Sequence, residues 1–474
     1  SITPAGFKRA CPQRRLQLFP LSAFFLIFRT RKQSGKIQEH RSKQVKLIQK
    51  CDPREVDSIR LGRDSYVDRL YGCFRFDNPR AGGFAAEREV EIVFRSGKKI
   101  KVTVPESMKV SLPEKKAVNL DSFVMEPIGE NLDTMMLLTM RAGWNQVEND
   151  LKRIVGFDPQ GNFVARFVTE DCDIPLSTAS VAPLGERHTW IGMILVHPEF
   201  RRQGVANAMM QHCVHYAIEQ GRIINGLDAT PMGNTVYGAV GYVDSYRIWR
   251  CWFNPGQFRQ AGYDANRISR IEEGELEELI RYDAARYLER GNVIRALYQD
   301  SREEAYIYRD DNGEIRGYAF ARPGRIRYFV GPFLADDEKI AAGLLACVCR
   351  SLDSRGIKEA FIDTPEIRFS NVPEYDKSLF DQKVKPSAHA LIRDITPVRE
   401  FTRMYQVVDE RRAGELVEGF VKAEKLESSS QRVLRFAETM NACVANCTET
   451  AAFLEYEKRV LQKYYWGITG PEKG

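Results

Sequence analysis

Ile194-Leu195-Val196-His197-Pro198-Glu199-Phe200-Arg201-Arg202-Gln203-Gly204-Val205-Ala206 is the stretch that decides the fold. It closes the apolar run 190–196 (WIGMILV), which carries no charge and so predicts a central strand. A helix is predicted over 205–220. Val205, Met209 and Cys213 recur every fourth residue, Ala208, His212 and Tyr216 line the next ridge, and Gly221 stands where a helix cap belongs. A strand, a turn with two arginines and a glycine, and a helix start together make an anion cradle. The first amides of a helix have no internal partner and carry partial positive charge. Gly204 permits a close backbone approach, Ala206 keeps the next turn small, and Arg201 and Arg202 add charge.

Outward from this stretch the pattern is mixed α/β. Residues 130–155 are helical in tendency, and 162–168 (NFVARFV) and 176–181 read as strands, as does 223–229 after the helix. Further on comes Asn234-Thr235-Val236-Tyr237-Gly238-Ala239-Val240-Gly241-Tyr242.

These segments resemble the GNAT acetyltransferases. Arg201-x-x-Gly204-x-Ala206 matches the family's phosphate-loop pattern between strand and helix, and 234–242 resembles its late segment. The resemblance implies acetyl-CoA or another acyl-CoA as cosubstrate, held by Ile194, Leu195, Val196, Arg201, Arg202, Gln203, Gly204, Val205, Ala206 and Asn234. It implies that 193–196 is splayed from 223–229, with the pantetheine in the gap. It places Tyr237 near the thiol, where a phenol can donate to a departing thiolate. The spacing from Asn234 to Tyr237 is shorter than usual in the family. Asp228 is the nearest acidic candidate for the base that frees the amine, a strand-end carboxylate being its other reading. Trp144 and Asn145 are candidates for the acceptor pocket. Gly143-Trp144-Asn145-Gln146, Asp150 and 227–231 (LDATP) carry a closer resemblance, to tandem GNAT proteins of the YitH and holothin-acyltransferase type.

A tandem architecture is also visible without the family. A helix at 276–287, strands at 305–308, 317–321 and 328–333, a helix at 337–354 and a strand at 360–363 repeat the first layout. Val196-His197-Pro198 is followed 33 residues later by Pro231 of an Asp-Ala-Thr-Pro, and Val330-Gly331-Pro332 is followed 33 residues later by Pro365 of an Asp-Thr-Pro. At the second loop, Ala335-Asp336-Asp337-Glu338 replaces the arginines and glycine with acids, which satisfy the helix amides themselves and repel phosphate. The second copy is expected to shape or cover the acceptor site, or to serve as a dimerisation or docking surface.

The fold expected is therefore α/β (α+β): two tandem GNAT folds with mixed central sheets. An N-terminal basic arm with a β-hairpin and a C-terminal helical extension flank them. The divisions expected are a basic arm at 1–50, a small β-containing extension and linker at 51–121, a GNAT domain with the acyl-CoA loop at 122–255, a degenerate GNAT-like domain at 256–400, and helices at 401–474. The hairpin rests on alternating 89–94 (EVEIVF) and 99–104 (KIKVTV) around Ser96-Gly97-Lys98. The helical extension rests on the long charged stretches 410–425 and 431–465, which lack proline.

Charge and cysteines bound the rest. Residues 1–50 hold twelve Lys/Arg against Glu39 alone, so the arm is strongly basic and the remainder mildly acidic. The arm suits an acidic surface, RNA or a membrane, though no stacking motif accompanies it for nucleic acid. Its apolar run 16–28 is too short for a bilayer and contains Pro20; it fits an organellar targeting remnant, an interfacial anchor or a docked element. Cytoplasm and mitochondrion both remain open as locations. The ten cysteines show no CxxC pair and read as free thiols, and His212 and His215 read as a solvated helix face; no metal is expected. Two functions compete. One is N-acyl transfer to a small-molecule or peptide amine. The other is a non-catalytic GNAT-fold subunit of a larger, mitochondrial assembly, with partners on 1–120 and 401–474.

Overall fold

The structure, a computed structural model, describes the strands between Val56 and Ser111 and then residues 123–467, apart from 130–131, 169–172, 198–199, 259–262, 371–387 and most of 411–447. The basic arm, the turn 95–98, the linker 112–121, most of the helical stretch 410–425, residues 431–447 and the pair Cys443 and Cys447 lie outside the described residues. The chain forms two compact units, one within 1–113 and one built on 114–474.

In the first unit, β1 (Val56–Leu61), β2 (Tyr66–Val67), β4 (Glu87–Phe94) and β5 (Lys99–Pro105) form a sheet in the order β2-β1-β4-β5. Strand β3 (Arg75–Asp77) pairs with β6 (Lys109–Ser111). The antiparallel β4–β5 register, Glu89 opposite Thr103 and Val93 opposite Lys99, is that of the hairpin expected from the alternation.

The second unit contains both repeats. The first runs β7 (Phe123–Pro127), α1 (Asp133–Arg141), α2 (Glu148–Phe157), β8 (Asn162–Val168), β9 (Asp173–Leu184), β10 (His188–Val196), α3 (Val205–Glu219), β11 (Ile224–Ala229), α4 (Pro231–Gly238) and β12 (Val243–Phe253). The second runs β13 (Ile268–Arg270), α5 (Leu276–Ala284), α6 (Gly291–Ser301), β14 (Ala305–Arg309), β15 (Ile315–Arg322), β16 (Tyr328–Ala335), α7 (Glu338–Ser354), β17 (Ala360–Pro365), the short pair β18 (Phe369–Ser370) and β19 (Ala388–His389), and β20 (Ile395–Val407). Helix α8 (Thr448–Tyr464) and strand β21 (Tyr465–Gly467) follow.

One thirteen-stranded sheet crosses both repeats in the order β13-β14-β15-β16-β17-β12-β20-β11-β10-β9-β8-β7, with β21 attached to β16. Its middle is an exchange. The first repeat's last strand, β12, leaves to pair with β17, and the second repeat's last strand, β20, crosses to pair with β11. The two exchanged strands pair with each other over most of their length. The expected boundary at 400 therefore falls inside a strand. Residues 401–407 (FTRMYQV) are not helical but are buried throughout, between two sheet neighbours that sequence spacing does not reveal.

The sheet's faces are set by strand alternation. On β12, Trp249, Cys251 and Phe253 join Leu344, Leu345 and Val348 of α7 in one core, whereas Tyr246 faces α8. Helices α1 and α2 close a smaller core with Met193, Val164 and Ile128.

Candidate active site

Strands β10 and β11 run parallel and pair only at His188–Ile224, Thr189–Asn225 and Trp190–Gly226. Beyond Trp190 they part, although β10 continues to Val196 and β11 to Ala229. At the parting, β10 also slips its register against β9 between Gly192 and Leu195, and Met193 takes φ +55°. Met193 and Ile194 thus fall outside both ladders, and the far half of β10 has no strand partner on its β11 side. The gap opens where the family resemblance implies a pantetheine, between Ile194, Leu195 and Val196 on one side and Leu227 to Ala229 on the other.

The gap ends at the loop into α3. Arg202 has φ +62° and Gly204 φ +81°, two left-handed residues with Gln203 between them. Turns of this kind aim successive N–H groups into one concavity. Gly204 is the helix N-cap and supplies no side chain, and Ala208 N–H to Gly204 O is the first helical bond, so the amides of Val205, Ala206 and Asn207 precede the ladder. Arg201 and Arg202 are exposed; the Arg201 Nε donates to the Val196 carbonyl at 3.2 Å, which ties loop to strand. Gln203 and Ala206 are partly buried and Val205 is buried in the core.

Tyr237 lies on α4, partly buried, with its ring 6.3 Å from that of Tyr242. Gly233 makes room for it: a Cβ there would sit 2.8 Å from the Tyr237 ring. Burial, then proximity to Cys213, pushes the phenol above its ordinary value. The group is accordingly a neutral donor at physiological pH.

Four expected site residues have other employment. Asp228 is not available as a base: its carboxylate takes both Nε and Nη2 of Arg403 at 2.9 and 3.0 Å, with both side chains fully buried. Asn145 borders a recess between the two repeats and also clamps them together. Its Oδ1 accepts from the backbone N–H groups of Ile326 (2.9 Å) and Arg327 (3.0 Å), and its Nδ2 donates to the Arg327 carbonyl (2.9 Å). A Cβ on Gly324 would overlap that amide. Trp144 packs against the α1–α2 core, and its carbonyl accepts from Arg325. Asn234 ties α4 to β12, its Nδ2 donating to Asp244 at 3.0 Å. His212 is no solvated residue either. It packs edge-on against Phe163 at 4.5 Å, and burial, with His215 second, lowers its pKa to about 4.

Residues that sequence reasoning missed stand around these. Together with Asn145, the side chains of Gln146, Asp150, Arg250, Arg322, Pro323 and Phe329 line a small recess between the repeats. Gln146 is buried and its Oε1 has no hydrogen-bond partner. Arg250 makes a bidentate pair with Asp363 at 2.7 and 2.6 Å. The Asp-Thr-Pro of the second repeat thus repeats the pairing of Asp228 in the first: each aspartate holds an arginine of the strand exchanged from the other repeat. Among the described residues no three His, Cys, Asp or Glu side chains group as a metal site, and no helix is long and apolar enough to cross a membrane.

Comparison with known proteins agrees with this geometry. Residues 131–235 match the Acetyltransferase (GNAT) family, and 280–406 match an Acetyltransferase (GNAT) domain. The chain therefore carries two GNAT domains in tandem, a fold whose N-acetyltransferases generally use acetyl-CoA or another acyl-CoA. It is 27% identical over 223 residues to the uncharacterized N-acetyltransferase YitH of Bacillus subtilis, covering 46% of this chain and 74% of that one. Among solved structures it is similar to a GCN5-related N-acetyltransferase from Sphaerobacter thermophilus (15% identity, TM-score 0.43, 61% of this chain and 97% of that one). It is similar also to a tandem GNAT protein from the clavulanic acid biosynthesis pathway (14%, 0.39, 60% and 98%).

Proposed function

We propose that the first repeat transfers an acetyl group from acetyl-CoA to the nitrogen of a small-molecule or peptide amine, by direct attack of the neutral amine on the thioester. The observation that carries this reading is the parting of β10 from β11 above a loop with two left-handed residues at a helix start. The cosubstrate supplies an activated acyl group. The chain's own part is positional. The edge of β10 beyond Trp190, which has left its ladder with β11, offers backbone partners along the gap. The loop amides and Arg201 and Arg202 offer charge for phosphates. Tyr237, held neutral by burial, can give its proton to a leaving thiolate. With Asp228 occupied by Arg403, the amine loses its proton to water, and acceptor basicity sets the alkaline rise of the rate. The recess beside the Asn145 clamp, walled by Arg250, Arg322, Asp150 and Gln146, favours a polar acceptor covered by the second repeat.

Calorimetric titration of acetyl-CoA into the intact chain tests this reading, beside Gly204→Glu. A micromolar site lost in the variant supports it. A folded wild-type chain that binds nothing sinks it and returns the scaffold reading. In an amine screen, Tyr237→Phe is expected to lower kcat by about 100-fold with acetyl-CoA affinity unchanged, and Gln146→Leu to raise KM for the acceptor alone.

A further inference from the structure

The second repeat has a gap of the same kind, and it is full. Strands β16 and β17 pair in parallel at Tyr328–Ala360, Phe329–Phe361 and Val330–Ile362 and then part, as β10 and β11 do after three pairs. Into the opening runs β21, the chain's own Tyr465-Trp466-Gly467. It pairs antiparallel with β16, Phe333 opposite Gly467 and Leu334 opposite Tyr465. The facing strand and the turn after it hold it too: Thr364 Oγ1 donates to the Trp466 carbonyl at 2.8 Å, and Arg368 Nε donates to the Tyr465 carbonyl at 2.8 Å. Trp466 is 3% exposed and belongs to the core under α7, with the Arg368 guanidinium 3.8 Å from its ring. Gly467 fits because it is small; a Cβ there would lie 3.3 Å from both Phe333 and Ile362. The Tyr465 hydroxyl accepts from Arg290 at 2.7 Å.

We infer that the second repeat is a peptide-strand site. Its cleft takes an aromatic-aromatic-glycine segment, supplied by the chain's own C-terminal strand, in the place that the first repeat keeps open for acyl-CoA. The chemistry of the cleft fits a neutral strand and not a phosphorylated cofactor. Main-chain bonds from β16 and two side-chain donors from the far wall satisfy the segment's backbone. At the loop end the acids are engaged as caps. Asp337 accepts from the Ile340 N–H at 2.9 Å, and Asp336 holds Arg286 at 2.7 and 2.9 Å and Tyr282 at 2.8 Å. Negative charge there opposes a phosphate. The comparison with the first cleft rests on the acyl-CoA reading given above; the occupancy of the second does not.

The test uses the full chain, a chain ending at Tyr464, and a Gly467→Val variant as a milder wedge. The probe is an amidated synthetic peptide of residues 462–467. Truncation is expected to lower Tm by roughly 10 °C or more, since it removes the two large buried side chains of Tyr465 and Trp466. The peptide at millimolar concentration is expected to restore at least half of that, and a peptide with Trp466→Ala is expected to restore none. If the truncated chain does not fold, Gly467→Val decides through a smaller fall in Tm and faster amide exchange of β16. Unchanged Tm in both variants, or no rescue by the native peptide, overturns the inference. Wild-type chain binding two acetyl-CoA per molecule overturns it as well. One per molecule is the expected count. None would sink the acyl-CoA reading of the first cleft, and the peptide rescue would still decide the second.

Discussion

Asp228 shows how far a single residue can be read without its neighbours. Its position on the strand lining the gap made it a candidate base, yet Arg403, 175 positions away in sequence, consumes it. Arg403 also donates to the hydroxyls of Tyr246 and Tyr287 at 3.0 Å each, and Glu457 of α8 receives Tyr405 at 2.5 Å and Tyr287 at 3.2 Å. Removing one partner leaves a buried charge unmatched, a loss of about 3–5 kcal/mol. Asp228→Asn is thus expected to melt well below the wild type. In the cold, where it stays folded, it should keep the wild-type pH–rate profile. A displaced acidic limb in that profile would restore Asp228 as a base. His389, together with His212 and His188, makes stability depend on pH, and it has the largest shift of the three. Its Nδ1 accepts from the N–H groups of Leu391 and Ile392, so Nε2 carries the proton toward Thr364, whose hydroxyl in turn holds Trp466. Burial, with Arg368 second, lowers its pKa from 6.5 to about 3. Between those values the unfolded chain binds a proton that the folded chain refuses. The stabilisation is full above about pH 6.5 and is lost as pH falls toward 3. Denaturant melts at pH 7.5 and 4.5 should differ less in His389→Gln than in the wild type.

At the scale of elements, legibility followed locality. The cradle loop was readable because its strand, its glycine and its helix ridge are contiguous, and α3 (Val205–Glu219) starts and stops where the ridge and Gly221 put it. Helix α6 (Gly291–Ser301) was missed: it begins at a glycine, with no side-chain cap to announce it. The helical extension expected from residue 401 begins instead with the end of strand β20, whose charged Arg403 is buried because the sheet interior answers it with Asp228 from the other repeat. Site roles were partly legible for the same reason. Asn145 does line the recess between the repeats, but only the loop 324–327 of the other repeat shows that it is also a clamp. The loop itself yields a prediction with two opposed signs. Arg202 holds a left-handed φ of +62°, which costs a non-glycine residue about 1 kcal/mol. Arg202→Gly is expected to relieve that cost and leave Tm equal or slightly raised, while removing a cation from the phosphate loop and weakening acetyl-CoA several-fold. Melting and titration on the same sample check both. A variant that binds as tightly as the wild type would assign the arginine no part in the loop.

At the scale of the molecule, the exchange of β12 and β20 turns two repeats into one sheet, and each repeat's aspartate locks onto the strand it receives. Asp228 holds Arg403 of β20, and Asp363 holds Arg250 of β12. The shared Asp-x-Thr-Pro and Asp-Thr-Pro endings were visible in the sequence as a repeat. What they do was not, because the partner arginines lie 175 and 113 positions off. The exchange has a consequence for dissection. A fragment of residues 114–258 keeps β12 but loses β17 and β20, so β11 becomes an edge, β12 loses both of its neighbours and Asp228 is left a buried charge without its arginine. A fragment of 263–474 suffers the mirror loss at β17 and Asp363. Each alone is expected to aggregate or remain unfolded, whereas the two produced together should copurify through a tag on either one and elute as a single one-to-one species. Acetyl-CoA should bind that species and neither half. If the halves instead fold as separate soluble monomers, the repeats are independent domains, and the paired aspartate–arginine locks contribute nothing that each repeat cannot supply for itself.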